Sequence, residues 1–377
     1  MATVATSRDL IEAVAEEMAT GIHCAVEFWM TQIESVFDDS HMERGRFPRQ
    51  RVCGEFVSAE SLSLLESLLH GQSPLIANAP RIAKGRLFVD GRVISTVIDP
   101  PAASIARYDL DQALWQSAVR ERVDARVQFT AEKVRGRGPF QIITSAGEIN
   151  AKALINTTGR WSNLSAGVRT QDSFGKKWLG VKAHFQEQEP SPSVDLYFFE
   201  GGYCGVQPTW LAADAASPGR RINACAMVRA DVASNLGEVF EQHPALLQRS
   251  TEWTPLTEPV STSPLVFREP KPVQDGVFQA GDAAGFVDPF VGDGISLAIR
   301  SGATAAGWIV KFLRKGISRA EAETGYERAY RQDLLPIFRN SARLRKLLRL
   351  PRVLRAPIAG ILENTPSLAG YLVRNTR

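Results

Sequence analysis

Residues 1–41 read as helical and polar, with acidic positions scattered without clean periodicity. The segment SAESLSLLESLLH (58–70) is different: its leucines recur at helical spacing, and Ser58 stands at the N-cap position. RLFVDGRVIS (86–95) sets Asp90-Gly91 between two β-rich runs, which predicts a hairpin. DLDQALWQSAVRE (109–121) predicts a helix. Short strands are expected over RVQFT (126–130), PFQIIT (139–144) and AKALINTTG (151–159), with a Ser-Ala-Gly turn at 145–147 joining the last two.

The middle third is rich in β-formers. KKWLGVKAHF (176–185), VDLYFFEGGYCGVQPT (194–209) and RINACAMVRA (221–230) predict strands of one antiparallel sheet. GVFQAGD (276–282) predicts a short buried strand ending at a glycine. Residues 292–314 and 319–350 predict helices, the second long and basic. The expected class is α/β: a Rossmann-like domain interleaved with an antiparallel β-sheet domain and closed by C-terminal helices. The expected units are an N-terminal segment (1–41), a nucleotide-type part (42–165) with a hairpin insertion (84–100), a β-rich domain (166–270), a second nucleotide-type part (271–315) and a helical region (316–377).

Composition narrows the functional classes. The net charge of +3 over 377 residues and the lack of an aromatic-rich basic repeat argue against nucleic acid as a partner. Cys24, Cys53, Cys204 and Cys225 show no CxxC spacing and no clustered histidines, so neither a zinc site nor a disulfide framework is expected. Reduced thiols point to a cytoplasmic protein. The first 30 residues lack a charged region followed by an apolar run, so no signal peptide is expected. No uncharged apolar stretch reaches the ~18 residues of a membrane span.

The informative stretch is AGDAAGFVDPFVGDGISLAIRSG (280–302). A buried strand delivers Gly281-Asp282 to a sheet edge, where glycine permits close backbone approach. The Asp282 carboxylate can accept hydrogen bonds from vicinal hydroxyls. Gly292, Gly294 and Ile295 then open a helix whose exposed amides favour negative charge. The order of strand, Gly-Asp, Asp288-Pro289, second glycine pair and small-residue helix resembles the second FAD motif of the geranylgeranyl-reductase and flavin-monooxygenase (aromatic hydroxylase-like) superfamily. The resemblance implies an FAD-dependent oxidoreductase with NAD(P)H as electron donor. Asp282 would then meet the ribityl chain, and Gly292 and Gly294 the flavin edge.

Other segments are similar to the same group over about residues 42–350. RGRFPRQRVCGEF (44–56), with Arg51 and Cys53-Gly54-Glu55, resembles the stretch after its second strand. Glu43 would end that strand and bind the adenosine ribose. IARYDLDQALWQSA (105–118) resembles the helix along the cofactor, with Arg107 contacting FAD and Asp111 and Leu114 packing. INTTGRWSNL (155–164) is similar to the strand that closes the first nucleotide unit, through Thr158 and Gly159. Each of these residues alone has a plain structural reading; their order carries the resemblance.

One part of the pattern departs. The resemblance places a GxGxxG loop about 25–30 residues before Glu43, near 14–21. That stretch reads VAEEMATG, with Gly21 the sole glycine before Gly45. Glu16 and Glu17 would face a diphosphate with like charge. Arg8-Asp9-Leu10-Ile11 still suits the opening strand. Residues 12–41 are either a degenerate segment or the product of a reading-frame error.

The expected reaction is reduction of C=C bonds in a small apolar, isoprenoid-like substrate. Cys53 is a candidate near the flavin ring and Tyr203 a candidate proton donor. His184 reads as structural. The alternatives are a monooxygenase or hydroxylase on the same scaffold, and a flavin-free remnant that binds a ligand or partner. The basic C-terminal helix, where Arg343, Arg345, Lys346, Arg349, Arg352 and Arg355 stand among leucines, has two readings: peripheral contact with an anionic membrane, or, as the favoured one, leucines packed on the body with the arginines solvated.

Overall fold

A computed structural model describes residues 11–12, 40–71, 73–159, 177–212, 220–262, 265, 267 and 269–374. The expected loop at 14–21 and the 160–164 end of the INTTGRWSNL segment lie outside the described residues.

Along the chain, β1 (Ile11–Glu12) and β2 (Ser40–Glu43) come first, then β3 (Phe56–Val57) and α1 (Leu62–Leu68). The hairpin of β4 (Arg81–Val89) and β5 (Arg92–Ser104) turns at Asp90 and Gly91, both at positive φ (54° and 82°), as a two-residue Asp-Gly turn requires. Next come α2 (Arg107–Arg120), β6 (Asp124–Val127), β7 (Ala131–Arg135), β8 (Phe140–Thr144), β9 (Gly147–Ala151) and β10 (Ala153–Asn156). The turn at 145–147 joins β8 to β9. The expected strand 151–159 is divided: β9 stays with the hairpin, while β10 leaves for another sheet.

The β-rich middle holds β11 (Trp178–Gln186), β12 (Ser193–Phe199), β13 (Gly202–Pro208) and β14 (Arg221–Arg229), then β15 (Thr254–Pro255) and β16 (Val260–Thr262). The end of the chain holds β17 (Val273–Gln274), β18 (Val277–Gln279), α3 (Gly294–Leu313), α4 (Arg319–Asp333), α5 (Leu335–Leu348), α6 (Arg352–Asn364) and α7 (Pro366–Arg374). The single helix expected over 319–350 is two. Pro336 has no N–H for the helical ladder, and the break falls at Leu334. The helix expected from Ser58 is also displaced. A 3-10 turn at Ala59–Ser61 precedes α1, and the Ser58 hydroxyl caps nothing. Instead it donates to Asp293 Oδ1 at 2.7 Å, a buried tertiary partner that wins over the local cap.

Two main sheets result, in a Rossmann-like α/β arrangement with an interleaved β-rich layer. The nucleotide-type sheet runs β1-β10-β18-β17, with β1, β10 and β18 parallel, and β2 pairs β6 in parallel nearby. The large sheet runs β15-β11-β14-β13-β12-β4-β5-β3, with β16 also on β11. It is antiparallel except at the β12–β4 joint, which is parallel. The 81–104 hairpin is therefore an integral part of the large sheet.

Apolar layers hold this together. α3, α4 and α5 pack on β10 and β18 through Ile155, Phe278, Ile309 and Tyr326. The helices Leu236–Glu241 and Pro244–Ser250 cover β11–β14 through Phe240 and Leu246. α6 and α7 lay Ala359, Leu362 and Ala369 on Val89 and Ile94 of the hairpin. No helix among the described residues is long and apolar enough to cross a membrane.

Candidate functional site

Between the two sheets lies a cavity of about 220 Å³. Strand β18 leads into a turn at Gly281 (φ 56°), whose amide donates to Ser301 Oγ at 2.9 Å, and this turn carries Asp282 into the cavity wall. Gly292 adopts the left-handed region (φ 76°) with the Phe56 ring packed on it, and α3 begins two residues later. A Cβ on Gly292 would stand 3.0 Å from Phe56 Cδ1, whereas one on Gly294 would meet nothing within 4 Å. Gly294 thus borders open space at a helix N-terminus.

The cavity wall gathers residues far apart in sequence. Arg51, Cys53, Arg107, Gly159 and Tyr203 join Asp282, Gly292, Gly294 and Ile295 there. Glu43, Thr158 and Gly281 lie outside this lining. Glu43 is fully buried at the end of β2: its Oε1 accepts from Gly45 N at 2.5 Å and Arg49 Nη2 at 2.7 Å. Its Oε2 is buried with no partner, as is Thr158 Oγ1 beyond β10. A buried acceptor left open costs on the order of 1–3 kcal/mol, so both sites suit a hydroxylated ligand. These orphans, the open Gly294 end and the Asp282 carboxylate fit the ribose, ribityl and flavin-edge contacts of FAD.

Arg107 lines the cavity while its guanidinium is clamped by Asp111 at 2.5 and 2.7 Å. Burial alone would lower its pKa; the Asp111 charge outweighs that and raises it. Cys53 receives the Glu55 amide at 3.3 Å, and burial pushes its thiol up, with Arg107 pulling the other way. Tyr203 is stacked on Phe198 with ring centroids 5.2 Å apart, and burial raises its phenol well above the ordinary value. Both groups hold their protons at neutral pH. Cys53, Cys204 and Cys225 are free thiols.

Sequence reasoning missed the polar knot beneath the cavity. Glu55 is fully buried and left-handed (φ 61°). Its Oε1 accepts from Lys182 Nζ at 2.6 Å and Arg107 N at 3.2 Å. Its Oε2 meets His184 Nε2 at 2.9 Å and Thr209 Oγ1 at 3.2 Å. Burial would raise the Glu55 carboxyl, but His184 and Lys182 beside it hold it below the usual carboxylate range. His184 Nδ1 has no partner, which favours the tautomer with the proton on Nε2. The available signal was period two: Lys182 and His184 alternate on β11 with apolar Val181, Ala183 and Phe185.

A second cavity of about 170 Å³ adjoins the first. It is apolar, lying between β4, β5, β12 and β13 on one side and Leu362, Ala369 and Leu372 of α6 and α7 on the other. Gly54, Phe56, Tyr203, Cys225, Pro289 and Gly292 belong to both walls.

No protein-family model and no curated protein matches the chain. Solved structures do. A geranylgeranyl bacteriochlorophyll reductase-like protein from Thermoplasma acidophilum aligns with TM-score 0.72 at 17% identity, over 95% of this chain and 92% of that one. The flavin-dependent brominase Bmp2 aligns with TM-score 0.71 at 16% identity, over 95% and 90%. The myxobacterial FAD-dependent chondrochloren halogenase CndH aligns with TM-score 0.69 at 18% identity, over 86% and 82%. The chain therefore carries the fold shared by these flavin-dependent halogenases and the geranylgeranyl reductase-like protein.

Proposed function

We propose that the chain is an FAD-dependent oxidoreductase acting on a small apolar substrate. One observation carries this reading: the cavity bordered by Asp282 and the Gly292–Ile295 helix start shares a wall with an apolar slot. Glu43 would hold the adenosine ribose, Asp282 the ribityl hydroxyls, and the amides at Gly292–Ile295 the electron-rich edge of the ring. When bound, FAD would supply the electron pair, with NAD(P)H as its source.

Within this reading the reaction is reduction of a C=C bond. Such a reduction needs an apolar slot and one proton donor. Leu196, Phe198 and Ile98 line the slot, and Tyr203 stands in the shared wall with its phenol protonated. Cys53 borders the flavin side with a protonated thiol. The Glu55 knot keeps the Cys53–Glu55 loop in place.

A second reading, oxygen-dependent halogenation or hydroxylation, is favoured by the halogenases among the structural neighbours. Protein loaded with FAD, reduced under nitrogen and mixed with alkene or phenol separates the two. Reoxidation by an alkene without oxygen supports the reductase. Product only after oxygen is admitted, with oxygen or halide incorporated, supports the second reading. An absorbance spectrum without flavin after reconstitution would leave a ligand-binding remnant.

The C-terminal helices also support peripheral membrane contact. Val353, Leu354, Ile361 and Tyr371 are exposed on α6 and α7, beside the arginines of α5 and α6. Flotation with anionic vesicles and with neutral ones tests this; equal recovery would remove it.

A further inference from the structure

A third cavity, of about 1000 Å³, opens beyond Tyr203. Its outer wall carries Arg229, Arg345, Arg349, Arg352 and Arg355, against Asp90, Glu200 and Asp288. Most of these charges are matched. Arg355 grips Asp90 at 2.6 and 2.8 Å, Arg345 meets Asp288 at 3.3 Å, and Arg229 is held by Asp231 at 2.8 Å. Glu200 acts on Arg229 and Arg355. Arg349 and Arg352 are the least tightly paired. Arg352 reaches Asp90 only at 4.0 Å and is 77% exposed. Arg349 lies over the Trp178 ring, 5.3 Å from its centre, and among the described residues no carboxylate is within ion-pair distance of it. Burial and the neighbouring Arg345 both lower the Arg349 pKa, against the pull of Asp288, which Arg349 shares with Arg345.

Three rings stand between this cleft and the apolar slot. Phe198, Tyr203 and Phe290 line both spaces, with centroids 5.2 to 6.1 Å apart. An extended molecule lying across that partition would have an apolar body in the slot and its far end among arginines. Guanidinium groups pair planar oxyanions with two hydrogen bonds, which suits a phosphate or carboxylate.

We propose that the cleft binds the anionic head, phosphate or carboxylate, of an amphiphilic substrate whose apolar body fills the slot. The proposal rests on the reading of that slot as the substrate site, and it makes Arg349 and Arg352 determinants of specificity. The full chain is titrated with dodecyl phosphate, dodecanoate and dodecanol, followed by tryptophan fluorescence, and flavin content is read by absorbance in the same samples. At least one anionic amphiphile should bind about tenfold tighter than dodecanol, and the tighter of the two assigns the head group. Arg349→Ala with Arg352→Ala should abolish the difference and leave dodecanol binding unchanged. Arg349→Lys should retain most of it, and Arg120→Ala, outside the cleft, all of it. Binding below the micelle concentration marks a soluble molecule as the source, and binding only when the amphiphile sits in phosphatidylcholine vesicles marks a membrane; either supports the head-group site. Equal binding of all three amphiphiles, or an anion preference that survives the double variant, overturns it. Failure of dodecanol and both anions to bind overturns the slot as well. An anion preference in protein that takes up no flavin removes the oxidoreductase reading and keeps this one.

Discussion

Glu55 Oε2 and His184 Nε2 stand 2.9 Å apart, both side chains fully buried, across the joint between the Cys53–Glu55 loop and β11. With Lys182 on the other oxygen, the carboxylate ties the loop that borders the first cavity to the sheet that borders the apolar slot. Removing one member leaves a buried charge uncompensated. Lys182→Met and Glu55→Gln should each destabilise by about 3–5 kcal/mol in urea unfolding, and the double variant by less than the sum. Additive losses would show that the two do not act on one network.

Asp282→Ala should lower flavin occupancy. Charge-assisted hydrogen bonds contribute about 1.5–3 kcal/mol each, so affinity should fall at least about tenfold. Absorbance of the purified, reconstituted variant reads the loss; a fully loaded yellow protein would reject the role.

Gly294→Ala separates fold from site. A Cβ there meets no neighbour within 4 Å, so the melting temperature without flavin should stay the same or rise with helix propensity. Flavin affinity should fall, because the methyl enters the space at the helix start. Gly292→Ala should instead lower stability itself by about 1–2 kcal/mol, since its φ of 76° is unfavourable to alanine and Phe56 crowds the site. Equal effects of the two variants on unliganded stability would contradict this geometry.

Much of the site was readable because its parts are sequential motifs. Asp282, Gly292, Gly294 and Ile295 lie within fifteen residues and share one strand-turn-helix, so order alone placed them at one cavity. Helix α2 and the Asp90-Gly91 hairpin were likewise local. The Glu55 knot was not, because Glu55 lies more than a hundred residues from Lys182 and His184 and meets them only when β11 packs under the loop. The break at Leu334 was masked by a continuous basic pattern, although Pro336 marked it. The parallel β12–β4 joint had no local signature, since both strands read as ordinary hairpin arms.

Asp288 links stability to pH. Burial pushes its carboxyl up from 3.8 to about 6, with Arg345 opposing. A raised folded-state pKa on an acid means the folded chain holds the proton more tightly than the unfolded one. Its contribution therefore favours folding at low pH and declines as pH rises from about 4 to about 6. The change is on the order of 3 kcal/mol. Asp288→Asn lacks this titration, so its stability relative to wild type should increase across that window and level off above it. A constant difference from pH 4 to 8 would refute the assignment.

The sequence has Glu16 and Glu17 where the resemblance puts the diphosphate loop, so neutralising them should tighten FAD and leave riboflavin unchanged, because only FAD carries a diphosphate. Like charges at ~4 Å repel by ~4 kcal/mol in partly screened surroundings. Equilibrium dialysis of the Glu16→Gln, Glu17→Gln double variant against both flavins measures it. A parallel gain for riboflavin would trace the effect elsewhere.

The path of the chain through its two sheets has a consequence for synthesis and for fragments. The 81–104 hairpin, made early, forms the far part of the large sheet, but it reaches β12 only after residue 193 has been added. Strand β10 likewise waits for β18, which ends at residue 279, before its second edge is paired. A ribosome-bound nascent chain therefore carries at least one unpaired sheet edge from the completion of β5 at residue 104 until β18 is made, a condition that invites aggregation or chaperone capture. Neither a fragment ending near residue 165 nor one spanning 166–270 should fold alone, and chains cut between α2 and β6 and co-expressed should reassemble less readily than chains cut after residue 313, by which point every strand among the described residues has been made.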